Sequence, residues 1–198
     1  MDWERVNVWT NTLYTLIHSL HMAREVSFGQ LKTLDSRVRD SANWVSQDCS
    51  YGSVLLAHPG GKAKLAFRRD PNKYFNDVSR QVIKMLIQDL VVIMDEMMDE
   101  ALVNRGEKAG GFPQSKIEKL NKGLDPKFKW AAYGCLALVA VRNVLTHSKG
   151  RWNTKTITLV ESFVTPVPKV GEQLCVGFTM LFRYRKAMRT MLNEVSPA

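Results

Sequence analysis

Residues 128–153 read FKWAAYGCLALVAVRNVLTHSKGRWN, and every other segment of the chain takes its place relative to them. Twelve small and apolar residues, Trp130 to Val141, run without a charge and stop at Arg142-Asn143. His147 follows, and Ser148, Lys149 and Gly150 have the composition of a helix stop. A bilayer span needs about 20 apolar residues, so this shorter run reads as the central helix of a soluble core with polar side chains at its last turn. At about 100° per residue, Asn143 and His147 lie about 40° apart on one face, whereas Arg142 and His147 lie about 140° apart. Arg142 therefore needs its long stem, or fraying of the final turn, to reach the space in front of the imidazole.

Hydrophobic spacing predicts further helices on both sides. Val6, Trp9, Leu13, Leu16, Ile17 and Leu20 recur at helical steps and continue through Phe28, Leu31, Leu34 and Val38, with Gly29 as a break. Residues 3 to 46 thus read as one or two amphipathic helices. His18, His21 and Glu25 share a flank there with metal-ligand spacing, but no second His or Cys set completes a shell, so they read as a polar flank. From Gln47 to Asn72, glycines and prolines interrupt two short apolar pieces, which predicts a β-hairpin or loop insert over 47–72. Gly60-Gly61-Lys62 fails as a phosphate loop, because position 56 is Leu56 and position 63 is Ala63. Lys62, Lys64, Arg68, Arg69 and Lys73 make the insert basic.

Asp70 to Arg105 predicts a long helix, apolar on more than one side, with Asp95, Glu96, Asp99 and Glu100 as its wet face. Gln114 to Lys122 predicts a short polar helix, and Asp125-Pro126 the start of the central one. Thr156 to Val164 is β-rich, Pro166 and Pro168 break it, and Lys169 to Val176 returns, so a second hairpin is expected within 154–176. Phe178 to Val195 predicts a last helix that presents Arg183, Arg185, Lys186 and Arg189 outward. Tyr184 lies among those cations, where it can stack on a base or pack inward.

The chain is long enough for one buried core, so one domain over 1–198 is expected. Cys49, Cys135 and Cys175 are too few and too scattered for a disulfide framework, and no CxxC pair offers zinc ligands. A reducing, cytoplasmic setting without a membrane partner follows, and Asp2 and Glu4 with no apolar run behind them predict no signal peptide. Net charge is +9, and the chain from Arg142 onward holds nine basic residues against three acidic ones. A field of that sign attracts polyanions, RNA foremost.

RNA carries its own nucleophile, the 2′-OH, so cleavage needs a base, a charge stabiliser for the phosphorane and an acid for the leaving 5′-oxygen. An imidazole titrates near neutral pH and can move a proton; a guanidinium holds phosphate through two parallel hydrogen bonds. His147 and Arg142 are the residue types for those tasks, with Asn143 to orient the imidazole or donate to phosphate. No metal is required by this chemistry.

Arg142-Asn143-Val144-Leu145-Thr146-His147, at the end of an apolar helix and followed by the Ser148-to-Gly150 stop, resembles the signature of the HEPN superfamily. The resemblance covers 128–153 residue by residue and the rest only as architecture. It implies a mainly α fold, an antiparallel helical bundle carrying the small insert. It also implies a metal-independent endoribonuclease with Arg142, Asn143 and His147 as catalytic residues, leaving a 2′,3′-cyclic phosphate and a 5′-hydroxyl. A homodimer would bring two copies of the motif into one cleft. Toxins and phage-defence effectors, some restrained by an antitoxin or other regulatory protein, are common in the family. The expected RNA contacts are Lys149, Arg151, Arg183, Arg185 and Lys186. The competing readings are a non-catalytic module that binds RNA or protein, and a structural role with Arg142 on helix-end carbonyls and His147 in the final turn, where a cation offsets the helix dipole.

Overall fold

The computed structural model describes residues 1–25 and 71–196, and it is mainly helical with no strand among them. The expected insert over 47–72, the helix continuing through Phe28 to Val38 and Cys49 fall outside the described residues, apart from the first two residues of the next helix. The elements are α1 (Trp3–Glu25), α2 (Pro71–Asn104), α3 (Pro113–Lys122), a 3-10 turn (Pro126–Phe128), α4 (Lys129–His147), α5 (Thr154–Thr158) and α6 (Phe178–Val195). The chain divides into two compact units, Met1–Thr15 with Arg80–Ala198, and Leu16–Ser79. The first unit holds α3 to α6 whole, together with the greater part of α1 and of α2.

The core of that unit is built where helical spacing puts apolar side chains. Trp9 and Leu13 of α1, Ile87, Leu90, Met94 and Met98 of α2, Ile117 and Leu120 of α3, Leu138 and Val144 of α4, and Leu181, Met188 and Leu192 of α6 are all buried. Each such side chain contributes about 1.5–3 kcal/mol on leaving water. Trp9 also donates its indole N–H to the Leu86 carbonyl at 3.0 Å, which fixes the height of α1 against α2. Tyr184 proves to be packing, buried in α6, and burial pushes its phenol pKa well up.

The 3-10 turn begins with the Asp125 carboxylate accepting from the Lys127 N–H at 2.9 Å. Together with α4 it makes a rod, Pro126–His147, that is 22 residues long and contains an 18-residue stretch with a mean hydropathy of 1.2. By length and composition this rod is apolar enough to cross a bilayer, unlike the twelve-residue run alone. Its buried side, from Ala131 to Val144, packs on α3 and α6. At Gly134 the approach to α6 leaves no room for a side chain: an added Cβ would stand 2.4 Å from the Ala187 Cβ. The small residues of the run are therefore what allows α4 and α6 to touch.

Two expectations need correction. Residues 154–176 are not a hairpin: Thr154–Thr158 is helical, because Asn153 closes a capping box with Thr156. The Asn153 side-chain oxygen accepts from the Thr156 N–H at 3.0 Å, and the Thr156 hydroxyl accepts from the Asn153 N–H at 3.1 Å. Two orphan backbone donors are satisfied at once, and this outweighs the β preference of Thr and Ile. The returning segment pairs instead with the end of the motif, in an isolated bridge between Arg151 and Gln173.

The acidic residues of α2 are likewise not merely solvated. Glu96 pairs with Arg5 of α1, while Asp95 and Asp99 hold the ammonium of Lys116 of α3, a side chain only 2% exposed, at 2.9 and 2.7 Å. Burial alone would lower the Lys116 pKa, but hydrogen bonds to Asp99 and Asp95 outweigh it and hold it above its ordinary 10.5. Burial alone would raise Asp99, but Lys116 and the Gly110 N–H bring it below its ordinary 3.8.

Two measurements check these contacts. Gly134→Ala should destabilise by about 1–2 kcal/mol in urea titration despite a helix-propensity gain of about 1, and Gly134→Ala with Ala187→Gly should recover part of the loss. A neutral Gly134→Ala would refute the close approach. For the lysine, a depressed Asp99 pKa gives stability present above about pH 4 and lost as pH falls through the folded value, and a raised Lys116 pKa gives stability lost only above about pH 10. Lys116→Met should therefore lower stability at neutral pH by about 2 kcal/mol, less than a fully buried pair because the carboxylates are about a third exposed. It should also flatten the dependence on pH between about 2 and 5, as read from unfolding midpoints.

Candidate functional site

The last two turns of α4 carry the motif. Arg142 and Asn143 are half-buried, and the Arg142 Nη1 donates to the Asn143 Oδ1 at 2.9 Å. His147, the last residue of α4, is exposed, and no hydrogen bond or ion pair to its imidazole occurs among the described residues. Asn143 thus gives its oxygen to the guanidinium and makes no hydrogen bond to the imidazole among the described residues. Among the described residues Arg142 makes no bond to a helix-end carbonyl, so the structure does not display the capping role. Thr146, between them, accepts from Gln88 of α2 at 3.3 Å, which ties this end of α4 to the long helix.

The stop after His147 has a clear cause. The Val144 carbonyl accepts from the N–H groups of both Ser148 and Gly150, at 3.2 and 3.1 Å, and Lys149 and Gly150 take φ values of 51° and 76°. Left-handed backbone is unfavourable for a residue with a Cβ. A Cβ at Gly150 would also lie 2.8 Å from the Gln173 Nε2, so the end of that side chain would have to move. The Gly150 carbonyl accepts from the Gln173 side chain at 2.9 Å and from the Leu174 N–H at 2.8 Å. The Trp152 N–H donates to the Glu172 carbonyl at 2.9 Å and the Gly171 N–H to the Trp152 carbonyl at 2.8 Å. Residues 171–174 are in this way laced to the end of the motif.

That lacing builds a wall that sequence reasoning misses. A groove of about 610 Å³ runs between Arg80 and Ile83 of α2, Leu145 of α4 and the segment from Gln173 to Gly177. Leu145 is about 60° around α4 from Arg142 and about 160° from His147, so the groove belongs to the Arg142 side of the helix. Nothing in the spacing of 171–177 marks it as a neighbour of 142–150, because the pairing is carried by backbone groups.

Of the expected RNA contacts, Lys149 and Arg151 sit at the motif end of α4, but the Arg151 Nη1 is engaged by the Gly171 carbonyl at 2.9 Å. Arg183 and Lys186 are exposed on α6, with the Lys186 ammonium over the Trp130 ring near the other end of α4. Arg185 is half-buried, with its Nε enclosed and without a hydrogen-bond partner among the described residues. The five cations are therefore spread along the α4–α6 pair and do not form one cluster at the motif. His18 and His21 are exposed on α1, and among the described residues no group of three or more His, Cys, Asp or Glu is placed to hold a metal.

No family model, curated protein or solved structure matches this chain.

Gly150→Ala should lower stability by about 1–2 kcal/mol, from left-handed strain together with the collision at Gln173. In a Gln173→Ala background, which already lacks the hydrogen bond to the Gly150 carbonyl, Gly150→Ala should add only the strain, a difference readable from chemical denaturation. An equal cost of Gly150→Ala in the two backgrounds would remove the collision as a cause.

Proposed function

We propose that this chain is a metal-independent endoribonuclease of the HEPN type, in which Arg142, Asn143 and His147 act on a phosphodiester through attack of the adjacent 2′-OH. The observation that carries the reading is the exposed His147 at the surface end of a core helix, one turn beyond an Arg142–Asn143 pair that is hydrogen-bonded at 2.9 Å. A core helix that ends in an imidazole unpartnered among the described residues and a half-buried guanidinium leaves chemistry-bearing groups in water where packing has no use for them. The helical bundle around it is compatible with a HEPN-like architecture.

In this reading Arg142 holds the phosphate, His147 moves a proton, and the Arg142–Asn143 bond restrains the guanidinium. One imidazole cannot easily be base and acid at once. A homodimer with two motifs in one cleft supplies the second, and the toxin or phage-defence role, the regulatory protein partner and the cytoplasmic setting belong to the same proposal. One observation favours a second reading, a non-catalytic RNA- or protein-binding module: Asn143 is bonded to Arg142, and the imidazole has no orienting partner among the described residues.

Incubation of the protein with a mixed RNA pool in EDTA should give fragments ending in 2′,3′-cyclic phosphate. His147→Ala should slow the reaction by about 10²–10⁴-fold, and Arg142→Lys, which keeps charge but loses the two-pronged grip, should also slow it. Cleavage undiminished in His147→Ala sinks the nuclease reading. Binding of RNA by the wild type without cleavage selects the module.

A further inference from the structure

Two large rings of the apolar run are not in the core. Trp130 is 45% exposed and Tyr133 38% exposed. Tyr133 stacks on Phe163, with ring centroids 4.8 Å apart and planes 12° from parallel, and the Lys186 ammonium lies 5.9 Å from the Trp130 ring centroid. Lys129 is exposed on the same arc of α4, and Lys127 covers the Phe128 ring at 4.8 Å. Aromatic faces interleaved with cations thus occupy the N-terminal end of α4, the end remote from Arg142 and His147.

We propose that this cluster binds single-stranded RNA, its bases stacking on the Trp130 and Tyr133 rings and its phosphates meeting Lys129 and Lys186. Every base offers a flat π-face, and such stacking beside a positive surface is how single strands are held without reading sequence. Charge selects the occupant. The acidic residues adjoining the patch in the chain are Asp125, already paired with Lys127 at 3.3 Å, and Glu161, so a polyanion meets more cations than carboxylates. A second copy of the chain, packed about a two-fold axis here, would press Lys129 and Lys186 against like charges. A lipid surface would favour rings that project, whereas Tyr133 lies flat on Phe163.

Position gives the patch a use. His147 follows Tyr133 by 14 residues, about 21 Å along the helix and about 40° around it. At a stacked rise of about 3.4 Å, that is about six nucleotides. The patch would hold the strand flanking the bond at the motif; this link rests on the nuclease reading, whereas binding at the patch does not.

The test uses a labelled 2′-O-methyl RNA about twelve nucleotides long, which cannot be cleaved, beside an abasic strand of the same length and charge, both read by fluorescence anisotropy. The wild type should prefer the base-bearing strand by about tenfold or more. Trp130→Ala should lose most of that preference, and Trp130→Phe should restore it. Lys186→Gln should weaken binding of both strands and reduce the salt slope by about 0.7. Equal affinity for the two strands, or a preference unchanged in both Trp130→Ala and Tyr133→Ala, overturns the proposal. So does capture by phosphatidylcholine–phosphatidylserine vesicles that depends on Trp130 while strand preference does not. The two readings fail separately: base-dependent binding through Trp130 by a chain that leaves RNA intact ends only the nuclease, and cleavage by a chain that binds base-bearing and abasic strands equally ends only the patch.

Discussion

The Cβ of Ala187 occupies the space into which any side chain at position 134 would project, and the packing of the bundle depends on that contact. Because residue 134 is glycine, α4 and α6 approach more closely than two helices of Leu and Ile can. The close approach explains why a helix so rich in Ala and Gly, with little apolar area per residue to bury, can be central: its backbone comes near enough for Leu181, Met188 and Leu192 of α6 to supply the missing surface. It also fixes where both ends of the rod emerge. The motif leaves at one end and the Trp130–Tyr133 rings at the other, and neither can shift along the axis without breaking the fit at Gly134.

The remaining helices are held by polar contacts that would be expensive to leave unmade. Lys116 is buried with two carboxylates of α2 about it, and removal of the lysine would leave Asp95 and Asp99 facing each other across one turn. Trp9 and the Leu86 carbonyl set α1 in the same manner, one directional bond inside an otherwise non-directional apolar seam. Directional contacts contribute little net free energy, but they decide register, and register is what puts Gln88 of α2 opposite Thr146 beside the motif.

Much of this is legible in the chain, for reasons that particular residues make plain. Helical spacing with clear ends places Phe178–Val195 as it stands, and puts Gln114 to Lys122 within one residue of α3. The stop at Gly150 can be read because a glycine after a helix usually means left-handed backbone, which is what its φ of 76° displays. The segment from Thr154 misleads because propensity is an average over residues, whereas a capping box is decided by two side chains, Asn153 and Thr156, acting on particular N–H groups. The acidic face of α2 misleads because its partner, Lys116, lies in another helix, and sequence periodicity is blind to what faces a charge. Trp130 and Tyr133 count as core on the same one-helix view. For the motif, the residues and their angles can be read, but not that Asn143 gives its oxygen to Arg142.

That last bond bears on what a single chain can do. The Asn143 oxygen accepts from the Arg142 guanidinium, whereas the imidazole about 40° further around the helix has no hydrogen-bond partner among the described residues, so Arg142 is restrained and His147 is not. Positioned hydrogen bonding is what turns an exposed histidine into an efficient proton carrier, since catalysis depends on geometry before it depends on acidity. If the motif cuts RNA, the orienting contact for His147 has to come from outside its own helix: from the strand itself or from a second motif across an axis. A strand gripped only by Arg142 would pivot about the phosphate. Bases stacked at Tyr133, about 21 Å from His147 along the helix and about 40° around it, would hold the strand on the imidazole side of the rod, while Arg142 reaches the phosphate from the far side on its long stem.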